Sequence, residues 1–317
     1  MTRENCPTAC PCCRSSCSRR WWATIAPFIR AYAFEANNKA ELVTSLIECV
    51  KCGHRYYQRS YNTEELNRLY AQYRGKNYFK SRRKWEPWYS RRLNEATMKP
   101  RLVTNRRSAV KAFVAPWLGS RSTALIVADV GGDAGQLIPL EIASRAYVVE
   151  TSKQKAVEGV TRVDRLSEID QKVDLVMCCH VLEHLSDPAS LLSSIIKELE
   201  LADGCLLYLE VPLERWRILP GMGSSLYKQY LIWISRSVPL LVLVDFLSMA
   251  FRSFFGFVSP PGFIKMHEHV NYFTESSLVS LCELVDLSVL EYKVERGSDL
   301  ATHQGIIRLI CRRTGDH

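Results

Sequence analysis

Three clusters of residue types in this chain could do chemistry. The first is cysteine-rich: seven of the 12 cysteines fall within the first 52 residues (Cys6, Cys10, Cys12, Cys13, Cys17, Cys49 and Cys52). Cys10-Pro-Cys-Cys13 and Cys49-Val-Lys-Cys52-Gly share one C-x-x-C spacing. Two such pairs suit a tetrahedral Zn²⁺, and Gly53 lets the second knuckle turn. Cys6 and Cys17 compete for the first pair, and the matching spacing favours Cys10 and Cys13. Four thiolates leave no open position, so the expected zinc is structural.

The second cluster is VADVGGDAGQLIPL, residues 127–140. An apolar strand runs into a turn containing Gly131, Gly132 and Gly135, with helix QLIPLEIA expected after it. Glycine permits positive φ and close backbone approach to a ligand. The next strand ends at Glu150, about twenty residues on, where nucleotide-binding βαβ units hold ribose hydroxyls. Yet the loop is D-x-G-G-D-x-G, with no G-x-G-x-x-G and no GK[ST]. Asp129 and Asp133 would repel a pyrophosphate. A ligand with adenosine at one end and positive charge at the other fits better, and S-adenosylmethionine has both and no phosphate.

The third cluster pairs histidines with carboxylates. His180, Glu183 and His184 follow the apolar strand VDLVMCC, and His267, Glu268 and His269 precede a helix that Thr274 can cap. A His-Glu-His run can take a proton near neutral pH. No third ligand stands near the H-x-H pair in sequence, so acid–base chemistry is expected there before metal binding.

These residues need a scaffold to position them. A chain of 317 residues can bury a large core, and 47% hydrophobic content is that of a packed globular protein. Residues 1–60 form a Cys-rich zinc-binding module and 61–115 a basic, aromatic, helical connector. Residues 116–317 alternate strands and helices, as parallel α/β sheets do, with an apolar insertion at 213–265. Strands are expected at 124–130, 145–150, 173–179 and 205–211. Asp187 and Pro188 should start a helix running to Glu200. Cys178, Cys179, Cys205, Cys282 and Cys311 read as small core residues.

The net charge of +9 points to an anionic partner: nucleic acid, anionic lipid or a phosphorylated substrate. The polar Met1 end carries no secretory signal, so a reducing cytoplasm is expected. The stretch 226–258 is very apolar, but Arg236, Pro239, Asp245 and Arg252 interrupt it. A lid, an oligomer contact or an interfacial helix pair peripheral to the inner membrane face is expected, rather than a span.

DVGGDAG, the strand ending at Glu150 and VDLVMCCHVLEHLSDP together resemble class I S-adenosylmethionine-dependent methyltransferases. The resemblance is strong over about residues 110–212 and weaker beyond. It implies an α/β fold with a doubly wound, mostly parallel seven-stranded sheet and the cofactor at the carboxyl ends of the strands. It places Asp129, Gly131 and Gly135 around the methionine end and Glu150 on the ribose, and Gly132 and Asp133 of the same loop are expected to bind the cofactor with them. The Cys179–His180 backbone would lie beside the cofactor. Asp133 stands where the family has a second glycine, and the adenine partner stays open between Asp164 and Glu168.

The zinc knuckle, LNRLYAQYRGKNYF, WEPWY and HEHVNYF further resemble zinc-containing sugar C-methyltransferases of carbohydrate and polysaccharide biosynthesis. That resemblance implies a sugar or sugar-nucleotide acceptor, with His269 as base and Glu268 or His267 assisting. Arg82 or Arg83 would serve a nucleotide phosphate. C-methylation requires the carbon to lose its proton before it attacks the methyl group. A zinc-knuckle rRNA methyltransferase is the alternative, because basic and aromatic residues interleave from Tyr73 to Arg107. A non-catalytic module with the same fold is a third reading, against which Gly131, Gly135 and Glu150 speak.

Overall fold

The computed structural model describes residues 9–16, 18–34, 41–71, 73–95, 99–119, 124–151, 154–214, 216–258, 260–296 and 305–315. Cys6 and Cys17 therefore lie outside the described residues.

The apolar runs form a seven-stranded sheet. Its strands are β4 (Leu125–Val130), β5 (Ala143–Val149), β6 (Thr161–Val163), β7 (Val173–Cys179), β8 (Leu201–Pro212), β13 (Leu287–Arg296) and β14 (Gly305–Arg313). The order is β13-β14-β8-β7-β4-β5-β6. Strands β8 to β6 are parallel, while β14 runs antiparallel to both β8 and β13. This is the expected α/β fold with a mostly parallel seven-stranded sheet. One face packs on α5 (Pro100–Val114) through Val110, Phe113 and Val114. The other packs on α6 (Pro188–Glu198) and α9 (Glu275–Leu284) through Leu192, Ile195, Leu278 and Leu281. Local chemistry starts both helices. The Asp187 carboxylate accepts from Ser190 N–H with Pro188 in the first turn, and Thr274 and Ser277 form a capping box.

One expected element is absent. QLIPLEIA is not a helix: residues 131–142 form successive turns, with Ile138 N–H donating to Gly135 and Ile142 N–H to Pro139. Pro139 has no amide hydrogen, and its ring would clash with the carbonyl four residues back. Leu137, Ile138 and Ile142 cover the sheet face directly instead. With no helix N-terminus behind the glycine loop, the loop lacks the dipole that favours phosphate. Two smaller departures are that α6 stops at Glu198 and that β8 begins at Leu201.

The N-terminal residues form a second sheet, of β1 (Ser18–Ile25), β2 (Val43–Cys49) and β3 (Arg55–Tyr57). Its edges come from far along the chain: β11 (Lys265–Met266) pairs with β1, and β12 (Asn271–Tyr272) with β3. A flat five-stranded sheet would set its edge strands about 19 Å apart. The chain from Met266 to Asn271 spans at most about 18 Å when extended. The sheet therefore curls, and the His267–His269 segment bridges its edges. Its apolar face shares a core with α1 (Pro27–Tyr32), α2 (Thr63–Tyr70) and α3 (Lys76–Trp85). The short α4 (Arg91–Asn94) follows.

The apolar insertion folds as α7 (Ser225–Ser235) and α8 (Val238–Phe255), flanked by the short pair β9 (Arg217–Ile218) and β10 (Phe257–Val258). Among the described residues, α8 is one helix long and apolar enough to cross a membrane. Only Leu241, Val244 and Ser248 of its 18 residues are buried.

Candidate functional site

A cleft of ≈ 850 Å³ opens where β4, β5 and β7 end. That size suits a small-molecule site. One wall is Gly131, Gly132, Asp133, Glu150, Cys179 and His180; Tyr70, Glu183, His184 and His269 line it too. Gly131 has φ +70°, and a Cβ there would lie 2.7 Å from Val181 Cγ2. A Cβ on Gly132 would lie 2.1 Å from the Asp129 carboxylate. These two positions must be glycine for the loop to take this path. Gly135, also at positive φ, turns the loop but does not line the cleft. Asp133 adopts φ 58°, and burial and the charge of Glu150 raise its pKa.

Asp129 is not on the cleft wall. It lies fully buried beneath Gly132, and neither carboxylate oxygen has a hydrogen-bond partner among the described residues. Burial, with the charges of Glu210, Glu150 and Asp133, outweighs Arg106 and pushes its pKa up to about 7. A buried carboxylate without partners calls for compensating positive charge.

A network that the sequence did not reveal reaches the cleft through His180 and Arg106. The buried Glu210 accepts from Arg106, from Arg308 Nε at 3.0 Å and from the Tyr208 hydroxyl at 2.7 Å. His180 bridges Glu183 and Glu210 at 3.2 Å each, with φ 58°. Burial and Arg106 press the His180 pKa down, but Glu183 and Glu210 outweigh them and raise it. Arg106 and Arg308 hold Glu210 ionised against the cost of burial. Glu210→Ala would take the buried carboxylate from Arg106 and leave Arg308 with Glu295 alone among the described residues. A loss of about 3–5 kcal/mol is expected in denaturant unfolding, and less for Glu210→Gln.

The His-Glu-His run splits. His269 reaches the cleft: its Nδ1 lies 2.8 Å from Glu214, and its ring meets that of His184 at 4.9 Å. Burial lowers its pKa, but Glu214 outweighs this and raises it to about 9. His184 Nδ1 lies 2.7 Å from the Tyr70 hydroxyl and 3.2 Å from the Glu268 carbonyl, and burial lowers its pKa to about 4. Glu268 instead directs its carboxylate to Arg82 and Tyr73. His267 stacks on Phe28 and faces Glu86. Neither His267 nor Glu268 lines the cleft. Among the described residues no metal-ligand set joins His267 to His269; instead, ligand atoms of Glu183, His184 and His269 lie within 4.8 Å of one another.

Other expectations meet different surroundings. Asp164 pairs with Arg162, and its amide donates to Glu168; neither carboxylate lines the cleft. Arg82 is bound by Glu86 and Glu268 and stacks 3.9 Å from the Tyr89 ring centre, so it does not wait for a phosphate. Arg74 and Arg106 are the guanidiniums that line the cleft.

The cysteines converge apart from this cleft. Sγ atoms of Cys10 and Cys52 lie 3.7 Å apart, those of Cys13 and Cys49 3.5 Å, and all four lie within 4.8 Å of one another. Zn–S bonds of about 2.3 Å imply tetrahedral edges of about 3.8 Å, so the donors fit one Zn²⁺. Gly53 has φ +72°, and its amide donates to Cys49 O. Cys12 is buried in the same cluster.

A family profile described as a methyltransferase domain matches residues 102–292. The chain belongs to this family. The chain is also similar in part to solved structures. Magnesium protoporphyrin IX methyltransferase from Synechocystis PCC 6803 with bound SAH is 13% identical, with TM-score 0.46 over 80% of this chain and 100% of that one. The 1,6-didemethyltoxoflavin-N1-methyltransferase of Burkholderia thailandensis is 15% identical, with TM-score 0.41 over 69% and 84%. N-methyltransferase NodS from Bradyrhizobium japonicum WM9 is 12% identical, with TM-score 0.40 over 69% and 99%. No curated protein matches.

The methyltransferase's cofactor is S-adenosylmethionine, and the acidic glycine loop at the cleft suits its cationic end. Asp129 holds a buried carboxyl behind the loop, without a hydrogen-bond partner among the described residues and titrating at about 7, whose ionised form a sulfonium and an ammonium would favour. Gly131 and Gly132 bring bare backbone to the cleft wall, with no room for a side chain against Val181 or Asp129. When bound, the cofactor supplies an electrophilic methyl group.

Proposed function

We propose that this methyltransferase moves a methyl group from S-adenosylmethionine to a sugar-type acceptor, free or nucleotide-linked, by C-methylation. Glu150 holds the cofactor ribose. The observation that carries the reading is the far half of the cleft, where Asn67, Tyr70, Tyr73, Glu183, His184 and His269 offer hydrogen bonds to a polyhydroxylated molecule. Arg74 supplies positive charge for a nucleotide phosphate.

His269 is the proton acceptor, oriented by Glu214 on Nδ1. A pKa of about 9 leaves it protonated at neutral pH and free to take a proton above about 9. A strong base suits a weakly acidic carbon. Turnover should therefore rise with pH and level off above about 9. His269→Gln should keep cofactor binding, lose about 10²–10⁴ of turnover and lose this alkaline limb. An unchanged rate or profile removes His269 from the mechanism. We also propose that the Cys10–Cys13–Cys49–Cys52 cluster holds a structural Zn²⁺.

The deciding experiment incubates the protein with methyl-labelled cofactor and a panel of nucleotide sugars. Label on a sugar carbon supports the reading; label on a hydroxyl overturns C-methylation. Label only in ribosomal RNA moves the acceptor to nucleic acid. That alternative has less support, because the rings of Tyr73, Tyr78, Phe79, Trp85 and Tyr89 pack into a core instead of standing free to stack on bases.

A further inference from the structure

The α7–α8 hairpin carries an apolar surface that the described residues leave exposed. Exposed Leu243, Phe246, Leu247, Phe251 and Phe254 recur along α8 at i, i+3, i+4, i+8 and i+11, which is one helical face. Leu226 and Trp233 of α7 and Phe255 are exposed as well, Leu226 at 82% and Phe254 at 83%. Soluble surfaces rarely carry so much contiguous aromatic and aliphatic area.

The opposite face of α8 is fixed to the protein. Leu241 and Val244 join the core, the Ser248 hydroxyl accepts from Phe263 N–H at 3.0 Å, and Asp245 pairs with Lys265 at 2.6 Å. A helix held to the protein from Leu241 to Ser248 in this way lies against it and does not cross a bilayer.

Charge selects the occupant. Residues 216–258 contain Arg217, Lys228, Arg236 and Arg252 against Asp245 as the sole acid, and Lys265 neutralises that acid on the inner face. Trp88 meets Phe246 at 6.0 Å, and exposed Arg83, Lys84, Arg91 and Arg92 flank Trp88 in the sequence. An apolar stripe with a basic border matches the boundary between acyl chains and anionic headgroups. Two copies of the same face would bring like charges together.

We propose that the exposed face of α7–α8 docks on an anionic lipid bilayer, with Phe246, Phe251 and Phe254 in the acyl boundary and Arg83, Lys84, Arg91, Arg92 and Arg236 at the headgroups. This does not depend on which acceptor is methylated.

The test is vesicle flotation of the full chain without acceptor. Vesicles of phosphatidylcholine alone are compared with vesicles also containing phosphatidylglycerol. The protein should float with the anionic vesicles at least tenfold better than with the neutral ones, and less at high salt. Phe251→Glu with Phe254→Glu should abolish flotation while S-adenosylmethionine affinity stays unchanged, which also reports that the variant is folded. In the unmutated protein, bromine-substituted lipid should quench tryptophan fluorescence, and Trp233→Phe should reduce that quenching. Absent flotation, or equal flotation of variant and wild type, overturns the proposal. So does a wild-type dimer that the double variant converts to monomer without any vesicle binding.

Discussion

Gly132→Ala is expected to weaken S-adenosylmethionine binding by at least about a hundredfold, roughly 3 kcal/mol. The added Cβ would stand 2.1 Å from Asp129 Oδ2, so either the carboxylate or the loop must move. The carboxylate has little freedom, being fully buried among strand residues. Moving the loop carries Gly131 and Asp133 out of the cleft wall. Calorimetric titration checks this, and a wild-type Kd would show that Asp129 can yield without cost.

Asp129→Asn separates the charge from the shape. The folded-state pKa of Asp129 is raised to about 7 from 3.8. The folded apo protein therefore holds a proton that the unfolded chain releases, and stability falls as pH rises between those values. Above pH 7 the full penalty applies, on the order of 4 kcal/mol at most. The asparagine removes it, so the apo variant should be more stable at pH 8. A cationic ligand uses the same charge. Wild-type affinity should rise as pH passes 7, and the variant should bind more weakly with a flatter pH dependence. Higher stability with lower affinity is hard to obtain from general damage to the fold. Unchanged affinity would remove Asp129 from cofactor binding.

The acidic character of this loop was legible because it concerns neighbours in sequence. So were the two helix caps at Asp187 and Thr274, since a cap needs only three following residues. Burial of Asp129 was not legible: a strand residue before a turn can face the ligand or the sheet, and only the path of the Gly132 backbone decides. The helix expected at QLIPLEIA misread Pro139, which stands too far into so short a segment to start a helix. The split of His267, Glu268 and His269 depends on Glu86, Arg82 and Glu214, each more than 50 positions away. Glu210 gave no motif at all. Arg106 and Arg308 reach it from 104 and 98 positions away, and only the pairing of β14 with β8 sets Arg308 opposite it.

Loss of metal at the cysteine knuckles should disable the acceptor side of the cleft more than the cofactor side. Cys52 O accepts from the Thr274 hydroxyl at 2.7 Å, and Thr274 also caps α9. Cys10, Cys12, Cys49 and Cys52 share a core with Leu278 and Leu281 of that helix. Next to them, the buried His54 Nε2 meets Asn271 Oδ1 at 3.1 Å. The Asn271 amide donates to Leu182 O and Leu185 O, across the loop that carries Glu183 and His184. The knuckle thus braces both segments that bring His184 and His269 together, whereas Gly131, Gly132 and Glu150 directly follow β4 and β5. Structural Zn²⁺ binds with an apparent ~10–16 kcal/mol, and folding depends on it in small modules. Cys49→Ser should therefore lose its zinc by metal analysis, unfold at a lower temperature, and lose turnover while S-adenosylmethionine binding falls only a few-fold. Equal zinc in variant and wild type would sink the metal assignment. Full turnover without zinc would break the link from knuckle to cleft.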